Sequence, residues 1–296
     1  MTMTHTHSMH RTPRLAAFAQ QCKPRVNSLI VFTAVIGMFL AVPGWPDPWL
    51  LVPATLGIGM VAGAAAAINC LVERGIDARM SRTRWRALPR GEIAPIDTLW
   101  MACTLGGAGL FLLAKAVNPL TMWLTLATFL GYAIVYTLLL KPATPMNIVI
   151  GGASGAMPPV LGWAAMSGHI GMPALALFLI IFLWTPPHFW ALACYRREDY
   201  ARAGLPMLPV SHGVPLTTLH ILLYTVLLVA VSYLPATLGV SGTVYVVLVS
   251  VLNLGYLREA VLLWRDYSDQ RARGAFRYSL IYLTGLFIAL FVDRLF

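Results

Sequence analysis

The sequence predicts an all-α integral membrane protein, a bundle of nine transmembrane helices around a central cavity. Composition is the first observation behind this prediction, because 58% of the 296 residues are hydrophobic and only 11% are charged. Soluble domains carry about 25% charged residues. The second observation is that charge-free runs of about 17 to 25 residues, the length that crosses the hydrocarbon of a bilayer, divide almost the whole chain.

Nine such runs follow one another along the chain. We predict spans at residues 25–44, 49–72, 98–116, 119–140, 145–166, 171–193, 217–237, 241–263 and 278–295. The connections after the second and sixth spans are long and polar, whereas those at the other end are short. The sequence therefore predicts one transmembrane domain over residues 24–296, with its chemistry at the end that carries the long connections.

Residues 1–23 contain no continuous apolar run, so they are predicted to form a flexible cytoplasmic tail rather than a signal peptide. His5, His7 and His10 lie in this tail. A histidine-rich tract can bind a metal ion, but a free tail is the simpler interpretation.

The basic residues indicate the orientation. If the N-terminus is cytoplasmic, all of the 21 lysines and arginines except Lys115 and Arg294 fall on the cytoplasmic side, as the positive-inside rule requires. The C-terminus is then outside, and the active site faces the cytoplasm. Topology and anionic lipid headgroups also account for the net charge of +10, so no nucleic-acid partner is predicted.

A first polar cluster follows the second span. Asn69, Glu73 and Asp77 are spaced by four residues, so a helix places them above one another on one face. Two carboxylates so placed repel each other by about 0.2–0.5 kcal/mol even in water, so a positive group is expected between them. One amide and two carboxylate oxygens suit Mg²⁺ together with a substrate phosphate. Alternatively, the two acids pair with Arg74, Arg79 or neighbouring basic residues as an ordinary helix end.

A second polar cluster follows the sixth span. The proline pair Pro186–Pro187 is expected to break that helix and to mark the start of a cavity, because proline removes hydrogen bonds from the helix. His188 comes directly after the pair, and a group of charged residues follows it: Arg196, Arg197, Glu198 and Asp199. The two clusters would face each other if the halves of the bundle are related by pseudo-symmetry.

Three segments carry a family resemblance. WTPPHFWALACYRREDYARAGLPMLPVSHG over residues 184–213 resembles the signature of the protoheme IX farnesyltransferases, or haem O synthases, a branch of the UbiA-type intramembrane prenyltransferases. N-x-x-x-E-R-x-I-D-x-x-M-x-R-T-R over residues 69–84 is similar to their first aspartate-rich motif. LKPATPMNIVIGGASGAMPPVLGW over residues 140–163 resembles a third family segment. The three stand in the family's order, and the resemblance covers most of residues 25–295.

The resemblance implies a Mg²⁺-dependent bacterial inner-membrane or plasma-membrane enzyme of haem biosynthesis. Farnesyl diphosphate would be the donor and haem B the acceptor substrate, and the product haem O could be handed to a haem A synthase. The resemblance also implies site residues, which are those at the matching positions of the family motifs. The expected catalytic residues are Asn69, Glu73, Asp77, His188 and Asp199; Asn69, Glu73, Asp77 and Asp199 would hold the metal; and Arg82, Arg84, Arg86, Tyr136, Lys141 and Arg197 would bind the diphosphate.

The chain departs from the family pattern at three positions, at one of which Ala87 replaces a proline commonly found after the arginine. Gly75 stands where a middle aspartate is common, so fewer carboxylates balance the metal charge. Pro142 follows Lys141 where a second basic residue is frequent. The second motif is also less acidic than in relatives with quinone-type acceptors, so a second Mg²⁺ is not expected.

The expected chemistry is ionisation of the allylic carbon–oxygen bond, because a metal ion and arginines stabilise the departing diphosphate. A vinyl group of haem would then attack the farnesyl cation. The role of His188 stays open between an axial ligand of haem, a group that orients the diphosphate and a partner for backbone freed by the prolines. Other classes are a prenyltransferase with a quinone-precursor or chlorophyll-like acceptor, a polytopic transporter and a non-catalytic haem-binding subunit.

Overall fold

The computed structural model describes residues 14–296, and every regular element in that range is a helix. We number the principal helices α1 to α10. They are Arg14–Gln21, Pro24–Leu40, Pro48–Val72, Pro95–Ala116, Pro119–Ala143, Asn147–Ser167, Met172–Tyr195, Val214–Thr237, Thr243–Arg265 and Asp269–Asp293. Eight of them are each long and apolar enough to cross a membrane, and the bent pair α1–α2 makes a ninth within the described range. The predicted all-helical membrane fold is confirmed.

Helix starts follow rules that can be seen in the sequence. Proline occupies the first turn of most of the long helices, where its missing N–H is not needed. Side-chain caps mark three starts: Asp47 accepts from the Trp49 N–H at 2.9 Å, Asn118 accepts from the Thr121 N–H at 2.8 Å, and Ser268 accepts from the Arg271 N–H. The last helix begins at Asp269, nine residues before the predicted span, because the capped polar turns extend beyond the hydrocarbon.

The helices form a ring in which neighbours along the chain pack together and α10 closes against α2. Connections alternate between two ends. The polar end carries the loop after α3 and the loop after α7, while the opposite end carries short turns. At that opposite end the Asp293 carboxylate accepts from the backbone N–H groups of Gly242 and Tyr245, and Arg294 donates to the carbonyl oxygens of Val42 and Gly44.

A close helix crossing lies between α2 and α6. A Cβ atom on Gly162 would overlap the carbonyl oxygen of Ala34, and one on Gly37 would overlap the carbonyl oxygen of Pro159. Small residues allow backbones to approach in this way, and such contacts drive association of membrane helices. Glycine at both positions therefore fixes how α2 enters the ring.

Two local expectations differ from the structure. Helix α7 runs without interruption from Met172 to Tyr195, through Pro186 and Pro187, so the predicted break is wrong. Pro186 and Pro187 remove the intrahelical donors to the carbonyl oxygens of Phe182 and Leu183, and membrane helices tolerate such prolines where surrounding groups satisfy the freed backbone.

The second difference concerns the predicted tail. Its histidines lie outside the described residues, but Arg14–Gln21 forms helix α1. Ala17 is buried against Ala87 and Ile93 of the loop that precedes α4, and this apolar contact explains why the segment is helical here.

Gly162→Ala tests the α2–α6 crossing. We expect the free energy of unfolding to fall by about 1–3 kcal/mol, because the added methyl meets a backbone oxygen that cannot rotate away. Gly155→Ala is the matched control on the same helix, since a Cβ atom there meets nothing within 4 Å. Thermal denaturation in detergent measures both. Equal melting temperatures of the two variants would contradict the crossing as described.

Candidate active site

Three oxygen-bearing side chains form a buried stack at the polar end of α3. Asn69, Glu73 and Asp77 are 3%, 6% and 3% exposed, so all three point into the protein. The helix is interrupted after Val72, but the Glu73 N–H still donates to the Asn69 carbonyl at 3.0 Å and the Asp77 N–H to the Glu73 carbonyl at 2.7 Å. The spacing of four residues is thereby kept, and the predicted common face is present.

Each member of the stack faces one basic side chain from a different part of the chain. The Lys23 ammonium donates to Oδ1 of Asn69 at 2.5 Å, and the Lys141 ammonium pairs with Oε1 of Glu73 at 2.5 Å. Arg86 pairs with Oδ2 of Asp77 at 2.7 Å.

This pairing differs from the alternative of an ordinary helix end. The guanidinium of Arg79 donates to the carbonyl of Gly75, and neither Arg79 nor Arg74 pairs with Glu73 or Asp77. The cations that balance the two acids are brought in by the fold rather than by neighbouring positions, as expected for a built site.

Sequence reasoning missed Lys23. Its backbone has φ 48°, a left-handed conformation that non-glycine residues rarely adopt, and it lies at the 49° bend between α1 and α2. This conformation directs the chain from α1 at the polar end into α2 and places the ammonium beside Asn69. A lysine directly before the first-turn proline of the first span was the available signal.

Helix α5 supplies the middle of the site through a π-helical segment, Gly131–Leu140. Its wider turn is seen in the Thr137 hydroxyl, which donates to the Tyr132 carbonyl five residues back at 2.8 Å. The same hydroxyl accepts from Nδ2 of Asn69 at 3.2 Å. π-Helical turns occur frequently at functional sites, and this one delivers Lys141 to Glu73.

Tyr136 lies in the same segment and stacks on Tyr132, with ring centroids 5.6 Å apart. Its ring lies directly over Gly151 of α6, where a Cβ atom would overlap it. The predicted tyrosine and lysine of the diphosphate site are thus held on the same turn-and-a-half of α5.

The two polar loops meet above the stack. The Ser81 hydroxyl, from the loop after α3, donates to Oδ2 of Asp199 at 2.7 Å, and Arg202 pairs with Oδ1 of Asp199 at 2.5 Å. The hydrogen bond from Ser81 lowers the pKa of Asp199, and the two neighbouring arginines add to this effect. Burial raises the pKa of the adjacent Tyr200 to about 12, with the charge of Glu73 contributing, so this phenol stays neutral.

Three of the predicted diphosphate arginines remain available to an anion. Arg82, Arg84 and Arg197 are exposed at the polar end, and none forms an ion pair with a carboxylate in residues 14–296. Guanidinium groups in this state match the oxygens of a phosphate.

His188 lies apart from the acids, at the contact between α7 and α10. Its ring stacks on Trp184 and Phe276, with centroid distances of 4.2 and 4.7 Å. Nδ1 lies 2.6 Å from the Ser279 hydroxyl, which itself donates to the Phe276 carbonyl. A hydroxyl has one proton, so Nδ1–H must be the donor to Ser279 and Nε2 keeps its lone pair. The partner of His188 is therefore not backbone freed by the proline pair.

The donor set was tested for a metal ion. No group of three or more His, Cys, Asp or Glu side chains in the described range could hold one, so Asp199 does not join Glu73 and Asp77 in a preformed cage. The stack itself offers one amide and two carboxylates on successive turns, an oxygen set that fits Mg²⁺ bound jointly with phosphate oxygens.

The chain was compared with known proteins. The model of the UbiA prenyltransferase family matches residues 30–289. A protoheme IX farnesyltransferase of Dechloromonas aromatica is 62% identical, with 98% of this chain and 97% of the relative covered. One of Aromatoleum aromaticum is 65% identical, with 95% and 93% covered.

Solved structures share the fold. A digeranylgeranylglyceryl phosphate synthase is similar with a TM-score of 0.79 and 20% identity, over 95% of this chain and 98% of that one. A UbiA homolog from Archaeoglobus fulgidus, bound to GPP and Mg²⁺, has a TM-score of 0.63 and 13% identity, over 93% and 99%.

Ser81→Ala tests the contact between the loops. We expect faster backbone hydrogen exchange over Arg197–Arg202 at neutral pH, because Asp199 loses the hydrogen bond that joins it to the other loop. Ser211→Ala is the control, since its hydroxyl contacts only nearby positions, the Met207 carbonyl and Nδ1 of His212. In the parent, the lowered pKa of Asp199 keeps the contact intact at any pH above the ordinary carboxyl range of about 4. Protection that fell between pH 8 and pH 6 would contradict this assignment.

Proposed function

The chain belongs to the UbiA prenyltransferase family, and we propose that it transfers the farnesyl group of farnesyl diphosphate to a vinyl group of haem B, giving haem O and diphosphate. Near-full-length relatives at 62% and 65% identity are protoheme IX farnesyltransferases, which supports this choice of substrates. The observation that carries the proposal is the buried stack of Asn69, Glu73 and Asp77 facing three cations beneath the meeting point of two polar loops.

Asn69, Glu73 and Asp77 are the residues that would hold Mg²⁺. When bound, the ion supplies Lewis-acid stabilisation of the diphosphate oxygens. Asp199, expected as a fourth ligand, already has both oxygens engaged by Ser81, Arg196 and Arg202. Its proposed role is to hold the two loops together over the site.

The basic residues stabilise the departing diphosphate. Lys23, Lys141 and Arg86 lie within contact distance of the stack, so they are placed to turn toward diphosphate oxygens when substrate arrives. Arg82, Arg84 and Arg197 stand at the entrance, where they bind the outer phosphate and exclude water. Fixed cations at developing negative charge lower the barrier most in a site with little water.

Ionisation of the allylic carbon–oxygen bond leaves a farnesyl cation, and the electron pair of that bond goes to the diphosphate. A vinyl group of haem attacks the cation, the new carbocation takes up water, and one proton is released to complete the hydroxyethylfarnesyl group. The Tyr136 ring and the neutral Tyr200 phenol lie near Glu73, where the leaving group would bind. His188 belongs to the acceptor side, because Ser279 leaves its Nε2 free to bind iron or to accept that proton.

The same proposal includes location. The predicted charge bias favours insertion in a bacterial inner membrane with the N-terminus in the cytoplasm, the C-terminus outside and the site toward the cytoplasm. A haem product that stays in the bilayer suits transfer to a haem A synthase in the same membrane.

The deciding experiment incubates purified protein in lipid nanodiscs with farnesyl diphosphate, Mg²⁺ and either haem B or a quinone precursor. We expect mass spectrometry to detect farnesylated hydroxyethyl haem, and none after chelation of Mg²⁺. Prenylation of the quinone precursor alone would reject the haem acceptor while keeping the prenyltransferase.

Asp77→Asn is expected to reduce turnover by about a hundredfold or more, because a charge that stabilises the leaving group is lost. The substitution also leaves Arg86 without its buried partner, so Asp77→Asn/Arg86→Gln is made as a folding companion. Asp266→Asn, at an exposed ion pair with Arg271, is the control. Turnover of Asp77→Asn at the parent rate would remove Asp77 from the metal site.

A further inference from the structure

A second group of positive charges lies where α10 begins, next to the polar loops, since Arg82 and Arg196 act on Tyr195 together with two arginines of α10. The guanidinium of Arg273 lies 5.3 Å from the ring centre of Tyr195, the last residue of α7, and Arg277 is close enough for its charge to act on the same side chain. Arg273 and Arg277 are exposed, and neither pairs with a carboxylate in residues 14–296. The nearby Glu259, beside Gly274, pairs instead with Arg258 at 3.1 Å. These two arginines are therefore available to bind an anion.

An aromatic strip leads from this pair of arginines into the membrane. The Phe276 ring lies against both Tyr195, at 6.2 Å between centroids, and His188, at 4.7 Å. On α7, His188 precedes Tyr195 by seven residues, which is about 10 Å along the helix axis. On α10, Arg273, Phe276 and Ser279 are spaced by three residues and so share one face. Charge at the surface thus gives way to aromatic rings and then to an imidazole.

We propose that Arg273 and Arg277 bind the two propionate carboxylates of the porphyrin acceptor, with the macrocycle lying along the Phe276 strip toward His188. The proposal rests on the proposed function, since it assumes that haem B is the acceptor. A porphyrin with two carboxylates on one edge cannot bury that edge in hydrocarbon without cations. Guanidinium groups bind carboxylates through paired hydrogen bonds.

The arrangement assigns separate cations to the two substrates. Lys23, Lys141 and Arg86 are tied to the acidic stack at the polar end of α3, whereas Arg273 and Arg277 stand on α10. Holding both carboxylates at the rim lets the apolar, vinyl-bearing edge of the macrocycle enter the bundle. The distance from the porphyrin centre to its carboxylates is also comparable with the helical rise between His188 and Tyr195.

The test measures binding by the full chain in nanodiscs of phosphatidylcholine, a lipid without net charge. Haem B and its dimethyl ester, which lacks the carboxylates, are titrated by absorbance. We expect Arg273→Gln/Arg277→Gln to weaken haem B binding by about tenfold or more, the loss of one charge-assisted hydrogen bond or more. Binding of the ester should be unchanged, and so should the affinity for farnesyl diphosphate.

Arg265→Gln is the matched control, an exposed arginine at the same end of the bundle on α9, and it should bind both porphyrins as the parent does. Three results would overturn the proposal: parent-like haem B affinity in the double variant, equal losses for haem B and its ester, or a loss of farnesyl diphosphate affinity instead. An effect that appeared only in nanodiscs containing anionic phosphatidylglycerol would assign the arginines to lipid headgroups and overturn it as well.

If the parent makes haem O while the double variant keeps its KM for haem B, the inference alone fails. If the parent prenylates no haem, the proposed function fails.

Discussion

The structure depends on the balance of charge inside the polar end, where Glu73 and Asp77 are buried beside Lys141 and Arg86. Removing one partner of a buried ion pair costs about 3–5 kcal/mol, because the remaining charge keeps its desolvation penalty without compensation. Lys141 belongs to α5 and Arg86 to the loop that follows α3. The two ion pairs therefore join α3, that loop and α5 into one unit. The same need for balanced charge suits the proposed site to a metal ion bound together with a diphosphate. A metal ion with a diphosphate can replace the internal cations as partners of the acids, and the released cations then have a new anion to bind.

Much of this architecture follows from the sequence, since hydrophobic runs of membrane length place all nine spans, and a spacing of four residues places Asn69, Glu73 and Asp77 on one face. Partners that are distant in the chain do not follow from such patterns. Nothing near Asn69 indicates Lys23, because that contact depends on the bend between α1 and α2 and on a left-handed backbone. The π-helical segment of α5 and the uninterrupted passage of α7 through Pro186 and Pro187 are likewise set by tertiary contacts, which override local propensity.

The surroundings of His188 illustrate the same limit. A histidine after two prolines is conspicuous in the sequence, but its tautomer is fixed by Ser279, 91 residues later, and its ring is clamped by Phe276 of the same distant helix. The family pattern placed His188 beside the acidic motifs in function, whereas the structure gives it a separate neighbourhood on α10. Two chemically distinct regions, one of acids with their paired cations and one of aromatic rings with arginines, therefore stand on different helices.

The order of synthesis gives the closure of α10 against α2 a further consequence. The ribosome delivers α2 near the beginning and α10 after every other helix, so the ring stays open sideways to lipid for nearly the whole of translation. Ser279 and Phe276 belong to that final helix. Until α10 is inserted, the His188 ring therefore lacks its hydrogen bond to Ser279 and its stacking contact with Phe276. The porphyrin surface that we propose on α10 is therefore complete only after the last of these helices is in place.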